Sequence, residues 1–307
     1  MSRAAASRLH QISVALQPGC QPDAVPAGGS GGKQFRVLFL GVDHPHGCAW
    51  RKSLQEAGGF EIVGLVPGFG GAITSLEEEY TALPRYADAD AALASGLEFE
   101  GAVALLSNRE APPNCISLAA AGKHVVLEKP GVGTVDDAQA ILDAANASGS
   151  VSTTAYTQRF APCAIRLAKM AAEKQFGKVI SLENVSATTD VRLRNPSHYL
   201  FDPEENKYPE GEGGYFSWLG CHNLDMVRFV TGQKIVGVTA RVGVYGETDA
   251  EVEDGGAIIL ELADGALVTL IGGCASSISH TYALLCAIVS VAPDTVSQQH
   301  LLKLLPD

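Results

Sequence analysis

The seven residues 41–47, GVDHPHG, concentrate side chains that could bind a metal ion or an anion. The imidazoles of His44 and His46 have the H-x-H spacing of a pair of metal ligands. In a dinucleotide-binding chain this position, after an apolar strand, carries a glycine-rich turn that contacts the pyrophosphate. The segment is therefore a metal site or a phosphate turn in which Gly41 is kept while Asp43 and His46 replace the other two glycines.

A lysine follows the predicted strand at 124–128 and precedes a proline. Ligands of a doubly wound sheet bind at the carboxyl ends of the strands, where Glu128 and Lys129 are expected. A desolvated lysine near a second positive charge has a lowered pKa and can remove the proton of a hydroxyl group. Lys129 is therefore a candidate general base, and the structural alternative is a solvated lysine at a strand end.

A histidine lies in the segment WLGCHNLDM, residues 218–226. Helical spacing predicts Trp218, His222 and Asp225 on neighbouring faces, because residues three and four apart are adjacent on a helix. His222 can exchange a hydrogen bond with a substrate hydroxyl, and Asp225 can fix the tautomer of the imidazole. The alternative is a core histidine with internal hydrogen bonds only.

The elements that position these residues are predicted from hydrophobic periodicity. Short apolar runs alternate with helical stretches from residue 35 to about 156, which is typical of a doubly wound parallel sheet. The predicted strands are 35–40, 61–66, 101–106, 124–128 and 151–156, and the predicted helices are 48–57, 75–83, 88–95, 114–122 and 135–148.

The pattern changes after residue 160. A helical segment at 160–177 leads into an extended segment at 178–193, and a second helix is predicted near 217–231. Two apolar runs within 254–273 meet at the turn ADG and predict an antiparallel hairpin. We expect an extension at 1–33, an α/β Rossmann domain at 34–152 and an α+β domain with a largely antiparallel open sheet at 153–307, with recognisable pattern ending near residue 272.

Composition restricts the partners and the compartment. The formal charge of −12 argues against nucleic acid and anionic membranes, and the late apolar run at 282–292 is too short for a membrane helix. Seven cysteines without a C-x-x-C pair favour a reducing compartment. We expect a soluble, cytoplasmic protein; residues 1–33, with Arg3 and Arg8, leave organelle targeting open as the alternative to a disordered extension.

The segment GKHVVLEKP, residues 122–130, resembles the signature of the Gfo/Idh/MocA oxidoreductases. Further segments at 157–162, 176–183, 213–232 and 252–270 resemble the family in the same order. The resemblance implies a Rossmann domain carrying NAD(P) and a C-terminal domain whose open sheet forms a homo-oligomer. It also implies hydride transfer at a hydroxyl-bearing carbon of a sugar, cyclitol or related polyhydroxy compound.

The resemblance also assigns roles to residues. The family has a Lys, Asp and His cluster, matched here by Lys129 and His222, but Trp218 stands where the aspartate is usual. An indole is neither a base nor an anion, so proton transfer would depend on Lys129 and His222 alone. Trp218 would instead form an apolar wall for a sugar ring.

The remaining candidates line the expected ligand crevice. Tyr156 and Arg159 are candidate substrate-binding residues with Trp218, His222 and Asp225, and a structural salt bridge is the alternative for the arginine. Asn108 lies where the family often has T-P-N, with a turn-forming asparagine as the alternative. The candidate cofactor-binding residues are Gly41, Asp43, His44, His46, Ser107, Asn108, Glu128 and Lys129.

The choice between NAD and NADP is open, with NADP slightly favoured. The second predicted strand ends without the acid that binds the ribose hydroxyls of NAD, and no nearby arginine is available for a 2′-phosphate. Two other functions also stay open. A non-catalytic sensor fits the altered turn and Trp218, and a metal-dependent hydrolase with an eight-stranded barrel would use His44, His46 and Lys129. The preferred interpretation has no metal.

Overall fold

The computed structural model describes residues 33–44, 46–68, 78–175, 177–189, 213–246, 249–275 and 288–291. Contacts divide the chain into two units, the first running through Phe160 and the second beginning at Ala161. The boundary predicted between residues 152 and 153 falls inside a strand of the first unit, because Ser152 pairs with Val125 in its sheet.

The first unit is built on a parallel sheet. Its strand order is β2-β1-β3-β4-β5, so the chain runs from β1 to β2 on one side and then crosses back to β3 on the other side, which opens a crevice at the carboxyl end of β1. This confirms the predicted doubly wound fold. The strands are β1 Phe35–Leu40, β2 Phe60–Val66, β3 Gly101–Ala104, β4 His124–Leu127 and β5 Ser152–Thr154.

Helices cover both faces of this sheet, because successive side chains of a strand point to opposite sides. Phe39 packs with Trp50 on one side, and Leu40 packs with Leu118 on the other. Each such buried side chain contributes about 1.5–3 kcal/mol. The helices are α1 Gly47–Ala57, α2 Glu78–Thr81, α3 Ala89–Ala94, α4 Ala111–Ala120 and α5 Val135–Ser148, followed by a 3₁₀ helix at Thr157–Phe160.

The second unit contains a mixed, largely antiparallel sheet in the order β10-β6-β9-β8-β7, as predicted. The pair β6–β9 is parallel, and the other three pairs are antiparallel. The hairpin predicted within 254–273 is β8–β9. The elements are α6 Pro162–Ala172, β6 Val179–Thr189, α7 Tyr215–Trp218, α8 Gly220–Thr231, β7 Ile235–Gly243, β8 Gly255–Leu262, β9 Leu267–Ala275 and β10 Ile288–Val291.

The two faces of the second sheet differ. One face is buried and packs with α6 and α8 through residues such as Leu182, Leu260 and Val227. On the opposite face four large apolar side chains remain about half exposed in the described part of the chain: Val185, Ile259, Leu267 and Ile271.

Two further features bear on the alternatives. The described residues form two open five-stranded sheets, so the eight-stranded barrel that the metal-hydrolase hypothesis requires is absent from them and that hypothesis is wrong. None of the helices in the described ranges has the length and hydropathy to cross a membrane. Residues 1–33, on which the targeting alternative depends, lie almost entirely outside the described residues.

Candidate active site

The turn between β1 and α1 is compact and requires glycine at its first position. Gly41 has φ +68°, and its N–H donates to the carbonyl of Val66 at 2.7 Å. A Cβ atom at Gly41 would lie 2.0 Å from the carbonyl oxygen of Leu105. Gly47, the first residue of α1, is equally restricted, because its Cβ would lie 2.5 Å from the carbonyl oxygen of Val42.

Asp43 is held at the carboxyl end of the neighbouring strand β2. Its Oδ1 accepts a hydrogen bond of 2.8 Å from the backbone N–H of Gly68, two residues beyond that strand. The loop after β2 passes close to the turn, since a Cβ at Gly68 would lie 3.4 Å from the Cα of Gly41. A carboxylate engaged in this way is accommodated by a phosphate turn, because an amide of the β2 loop partly balances its charge.

His44 is a neutral hydrogen-bonding group. Its Nδ1 accepts from the backbone N–H of His46 at 2.9 Å, so its neutral form carries the proton on Nε2. Burial, followed by the positive charge of His46, lowers the pKa of His44 to about 4. At neutral pH His44 therefore offers an N–H donor rather than a positive charge.

Glu128 connects the end of β4 to α1. Trp50 Nε1 donates to one carboxylate oxygen at 2.8 Å, and His46 Nδ1 lies 3.4 Å from the other. Burial alone would raise the pKa of Glu128, but the hydrogen bonds from His46 and Trp50 and the charges of His46 and Lys129 bring it below its ordinary value. Glu128 is therefore an anion that fixes the orientation of His46 in the turn.

Lys129 lies directly beyond this carboxylate and is half-buried. Its charge contributes to the low pKa values of both His44 and Glu128, which places it in the same electrostatic environment as the turn. A cis peptide bond joins Lys129 to Pro130. The predicted base and the predicted phosphate turn therefore share one end of the sheet.

The other candidates of the first unit follow β3 and β5. Asn108 is 2% exposed, and the hydroxyl of Ser107 is engaged with Glu110 in the turn before α4. Tyr156 and Arg159 are half-buried after β5, where the N–H of Arg159 donates to the carbonyl of Tyr156 at 3.2 Å. All of them thus lie beyond carboxyl ends of parallel strands.

Two residues near the turn were missed by the sequence analysis. Trp50 donates to Glu128, and the buried guanidinium of Arg51 donates to the carbonyl of Val42 at 3.3 Å and lies over the ring of Tyr80. The available signal was weak: a tryptophan and an arginine in the first two turns of an amphipathic helix. Through these contacts, the two side chains of α1 stabilise the turn and the neighbouring carboxylate of Glu128.

In the second unit the predicted helix is interrupted. Leu219, with φ −116°, separates α7 from α8. The prediction that Trp218 and His222 share one helix is therefore wrong. Gly220 allows this junction, because a Cβ there would lie 2.7 Å from the ring of Phe216. His222 and Asp225 lie on α8 and are 7% and 9% exposed, while Trp218 is half-buried.

Two family models match most of the chain. The model described as "Oxidoreductase family, NAD-binding Rossmann fold" matches residues 35–156, and the Gfo/Idh/MocA C-terminal domain model matches 164–287. The chain belongs to the Gfo/Idh/MocA family. The first unit is therefore the family's NAD-binding Rossmann domain, and the resemblance inferred from GKHVVLEKP is confirmed.

Solved structures agree with this fold at low sequence identity. The WlbA dehydrogenase of Bordetella pertussis, in complex with NADH and UDP-GlcNAcA, is 20% identical with a TM-score of 0.69 over 81% of this chain and 74% of its own. The aldose-aldose oxidoreductase of Caulobacter crescentus, complexed with glycerol, is 22% identical with a TM-score of 0.68 over 79% and 72%. A Bordetella bronchiseptica structure (19%, TM-score 0.66) is matched over 78% of this chain, which spans only 60% of that protein.

The residues of the first unit fit a dinucleotide. The turn leads into α1, and the first N–H groups of a helix have no acceptor within the helix and favour an anion. His44 adds an imidazole N–H donor beside this helix start, and Asp43 is hydrogen-bonded to the β2 loop. An anionic diphosphate is thus compatible with the turn despite its two missing glycines.

Proposed function

We propose that the protein is an NAD(P)-dependent oxidoreductase that transfers hydride to or from a sugar, a cyclitol or a related polyhydroxy compound. The observation that carries this proposal is the β1–α1 turn, in which the Asp43 carboxylate is bonded to Gly68 N–H. This contact holds the carboxylate at the end of β2, which supports dinucleotide binding even though a carboxylate replaces the second glycine of the turn.

The chain's own residues have distinct roles in this proposal. The turn residues Gly41, His44 and His46 would hold the diphosphate, with Ser107 and Asn108 next to the nicotinamide ribose. When bound, the nicotinamide supplies the hydride acceptor or donor. Glu128 keeps His46 in place through the 3.4 Å contact, and it is itself fixed by Trp50.

Lys129 and His222 would handle the substrate proton. A hydroxyl that loses hydride from its carbon must also lose its proton, and an amine at the carboxyl end of β4 is suited to accept it. We propose His222 as a hydrogen-bonding partner of the same hydroxyl, oriented with the help of Asp225. Tyr156, Arg159 and Trp218 would bind the rest of the polyhydroxy substrate, the indole by packing against a ring face.

Replacement of the proposed base tests this function. Lys129→Ala should reduce turnover by at least about 100-fold, the usual contribution of a general base, with NADH affinity within a few-fold of wild type. Turnover on inositols, aldoses and UDP-linked sugars is measured beside NADH binding by fluorescence titration. Lys169→Ala is the matched control, because this exposed lysine of α6 is in the other unit. Unchanged turnover in Lys129→Ala would contradict the role of this lysine.

A non-catalytic sensor is the second candidate, and Trp218 favours it. The family resemblance implies an aspartate at this position, and its absence leaves fewer groups for proton transfer. Binding of NADH and of a polyhydroxy compound without turnover on any member of the panel would support the sensor. Turnover with even one of these substrates would exclude it.

We further propose that the half-exposed face of the second sheet, which carries apolar side chains among charged ones, joins copies of the chain into a homo-oligomer. Val185, Ile259, Leu267 and Ile271 support this, because large apolar groups clustered on one sheet face mark an interaction surface. A cytoplasmic location is proposed because Cys48, Cys115 and Cys163 carry reduced thiols in the described part of the chain, as suits a reducing compartment.

A further inference from the structure

The carboxyl end of β2 is where a Rossmann domain distinguishes NAD from NADP. A carboxylate there accepts hydrogen bonds from the adenosine ribose hydroxyls of NAD, and it repels the 2′-phosphate of NADP. The last residues of this strand and its continuation are Val66, Pro67 and Gly68, and none is acidic. Strand β2 itself therefore supplies no acid that could bind the ribose hydroxyls of NAD.

The structure supplies an acid at this position from a neighbouring element. Asp43 belongs to the turn after β1, yet its Oδ1 lies 2.8 Å from the backbone nitrogen of Gly68. The first turn and the β2 end are tied together a second time, because the N–H of Gly41 donates to the carbonyl of Val66 at 2.7 Å. The carboxylate of Asp43 therefore lies over the end of β2, and its side chain is only half-buried.

Building on the proposed dinucleotide-binding function, we propose that Asp43 acts as the ribose-binding acid of this chain and makes it select NAD over NADP. The Gly68 amide holds one carboxylate oxygen at the end of β2, where the adenosine ribose of a dinucleotide binds, and the carboxylate would place its negative charge beside the 2′ position. This reverses the slight preference for NADP that followed from the β2 sequence alone. In this proposal the ribose-binding acid comes from the turn after β1 instead of from β2, but its carboxylate lies at the same place, the carboxyl end of β2.

The competing group is Arg85. Its backbone forms an isolated parallel β-bridge with Leu65 of β2, and Arg85 itself is exposed. In the strand order β2 is an edge strand with β1 on its inner side, so Arg85 approaches from the outer side and Asp43 from the side of β1. Because the dinucleotide crevice opens at β1, the carboxylate is the group adjacent to the ribose.

Binding of two fragments tests the selection without requiring catalysis. ADP-ribose and 2′-phospho-ADP-ribose are titrated calorimetrically into the full-length protein, and NADH and NADPH are followed by fluorescence. Wild type should bind the unphosphorylated member of each pair at least about tenfold more tightly, as expected from repulsion between two like charges near a protein surface. The difference should shrink as the salt concentration rises.

Asp43→Asn is the decisive variant, since the amide oxygen of asparagine can still accept from Gly68. It should lose most of the discrimination, chiefly by gaining affinity for the 2′-phosphorylated ligands. Glu56→Gln is the control for net charge, because this exposed acid lies at the far end of α1 in a surface pair with Lys52. It should leave the discrimination unchanged.

The outcomes separate the two proposals. Equal or tighter binding of the 2′-phosphorylated ligands by wild type, removed by Arg85→Gln, would overturn the role of Asp43 while supporting dinucleotide binding. Discrimination that persists in Asp43→Asn would also overturn it. Failure of all four ligands to bind would defeat both the selection by Asp43 and the proposed function on which it rests.

Discussion

Three side chains around the turn between β1 and α1 have separate roles: the neutral imidazole of His44 and the carboxylates of Asp43 and Glu128. His44 is kept neutral by burial and by the charge of His46, and it accepts from the His46 backbone. Glu128 holds the imidazole of His46, and Asp43 holds the loop after β2. A turn that lacks two glycines is thus fixed by side chains where backbone conformation alone would normally serve.

The low pKa of His44 makes stability depend on pH. The ordinary value is 6.5 and the folded value about 4, so between these limits the unfolded chain binds more protons than the folded one. The contribution of His44 is complete above pH 6.5, decreases as the pH falls and is lost near pH 4. We expect a loss of about 2–3 kcal/mol from this group.

Urea unfolding at several pH values measures this effect. In His44→Asn the side chain does not titrate in this range but can still accept from the His46 backbone, so the variant should show a shallower decline in the free energy of unfolding. The charged neighbours Asp43, His46, Glu128 and Lys129 are present in both proteins, so the difference between the two curves reports His44 together with its coupling to them. Parallel pH curves for the two proteins would refute the assignment.

The elements of the first unit were predictable because each is encoded locally. The strand Phe35–Leu40 and the helix Val135–Ser148 have the predicted bounds. Other elements were not predictable. The strand Ile235–Gly243 is an edge strand whose valines are largely exposed, so it has no buried period-two face. The contacts Trp50–Glu128 and Asp43–Gly68 join residues 78 and 25 positions apart, and local patterns contain no information about them.

The turn itself predicts a sharp difference between two glycines. Gly41→Ala places a Cβ 2.0 Å from a backbone oxygen at φ +68°, whereas Gly149→Ala meets the same kind of φ, +74°, with nothing within 4 Å. We expect Gly149→Ala to cost about 1 kcal/mol and Gly41→Ala about 3 kcal/mol or more. Equilibrium urea unfolding gives both values, and equal costs would show that the β1–β3 approach is not as tight as described.

At the scale of the whole molecule, the chain combines the NAD-binding Rossmann domain of its family with a domain whose sheet has one face that is half-exposed in the described part of the chain. The fold class was predicted from the alternating strands and helices up to residue 156 and from the change of pattern near residue 160. The family was predicted from GKHVVLEKP and the later segments that resemble it. The assembly was expected only by resemblance, and the exposed side chains Ile259 and Ile271 now give that expectation a physical basis.

An added charge in the middle of the half-exposed face should dissociate the proposed oligomer. Ile271→Lys places an ammonium group that must be desolvated when the faces pair, so the mass measured by light scattering should fall to that of a monomer. Val135→Lys is the control, because this valine is 82% exposed at the start of α5 in the first unit. A monomeric wild type, or an oligomer that tolerates Ile271→Lys, would disprove the interface.

The parallel pairing of β6 with β9 has a consequence for biosynthesis. Ser181 of β6 pairs with Leu267 of β9, so the strand leaves the ribosome long before its inner partner has been translated. The Rossmann domain can fold during this interval. Until β9 has been translated, however, β6 has unpaired backbone groups, through which it can associate with other nascent chains. Messages truncated before the codons for β9 should therefore yield a folded first domain attached to an aggregation-prone tail.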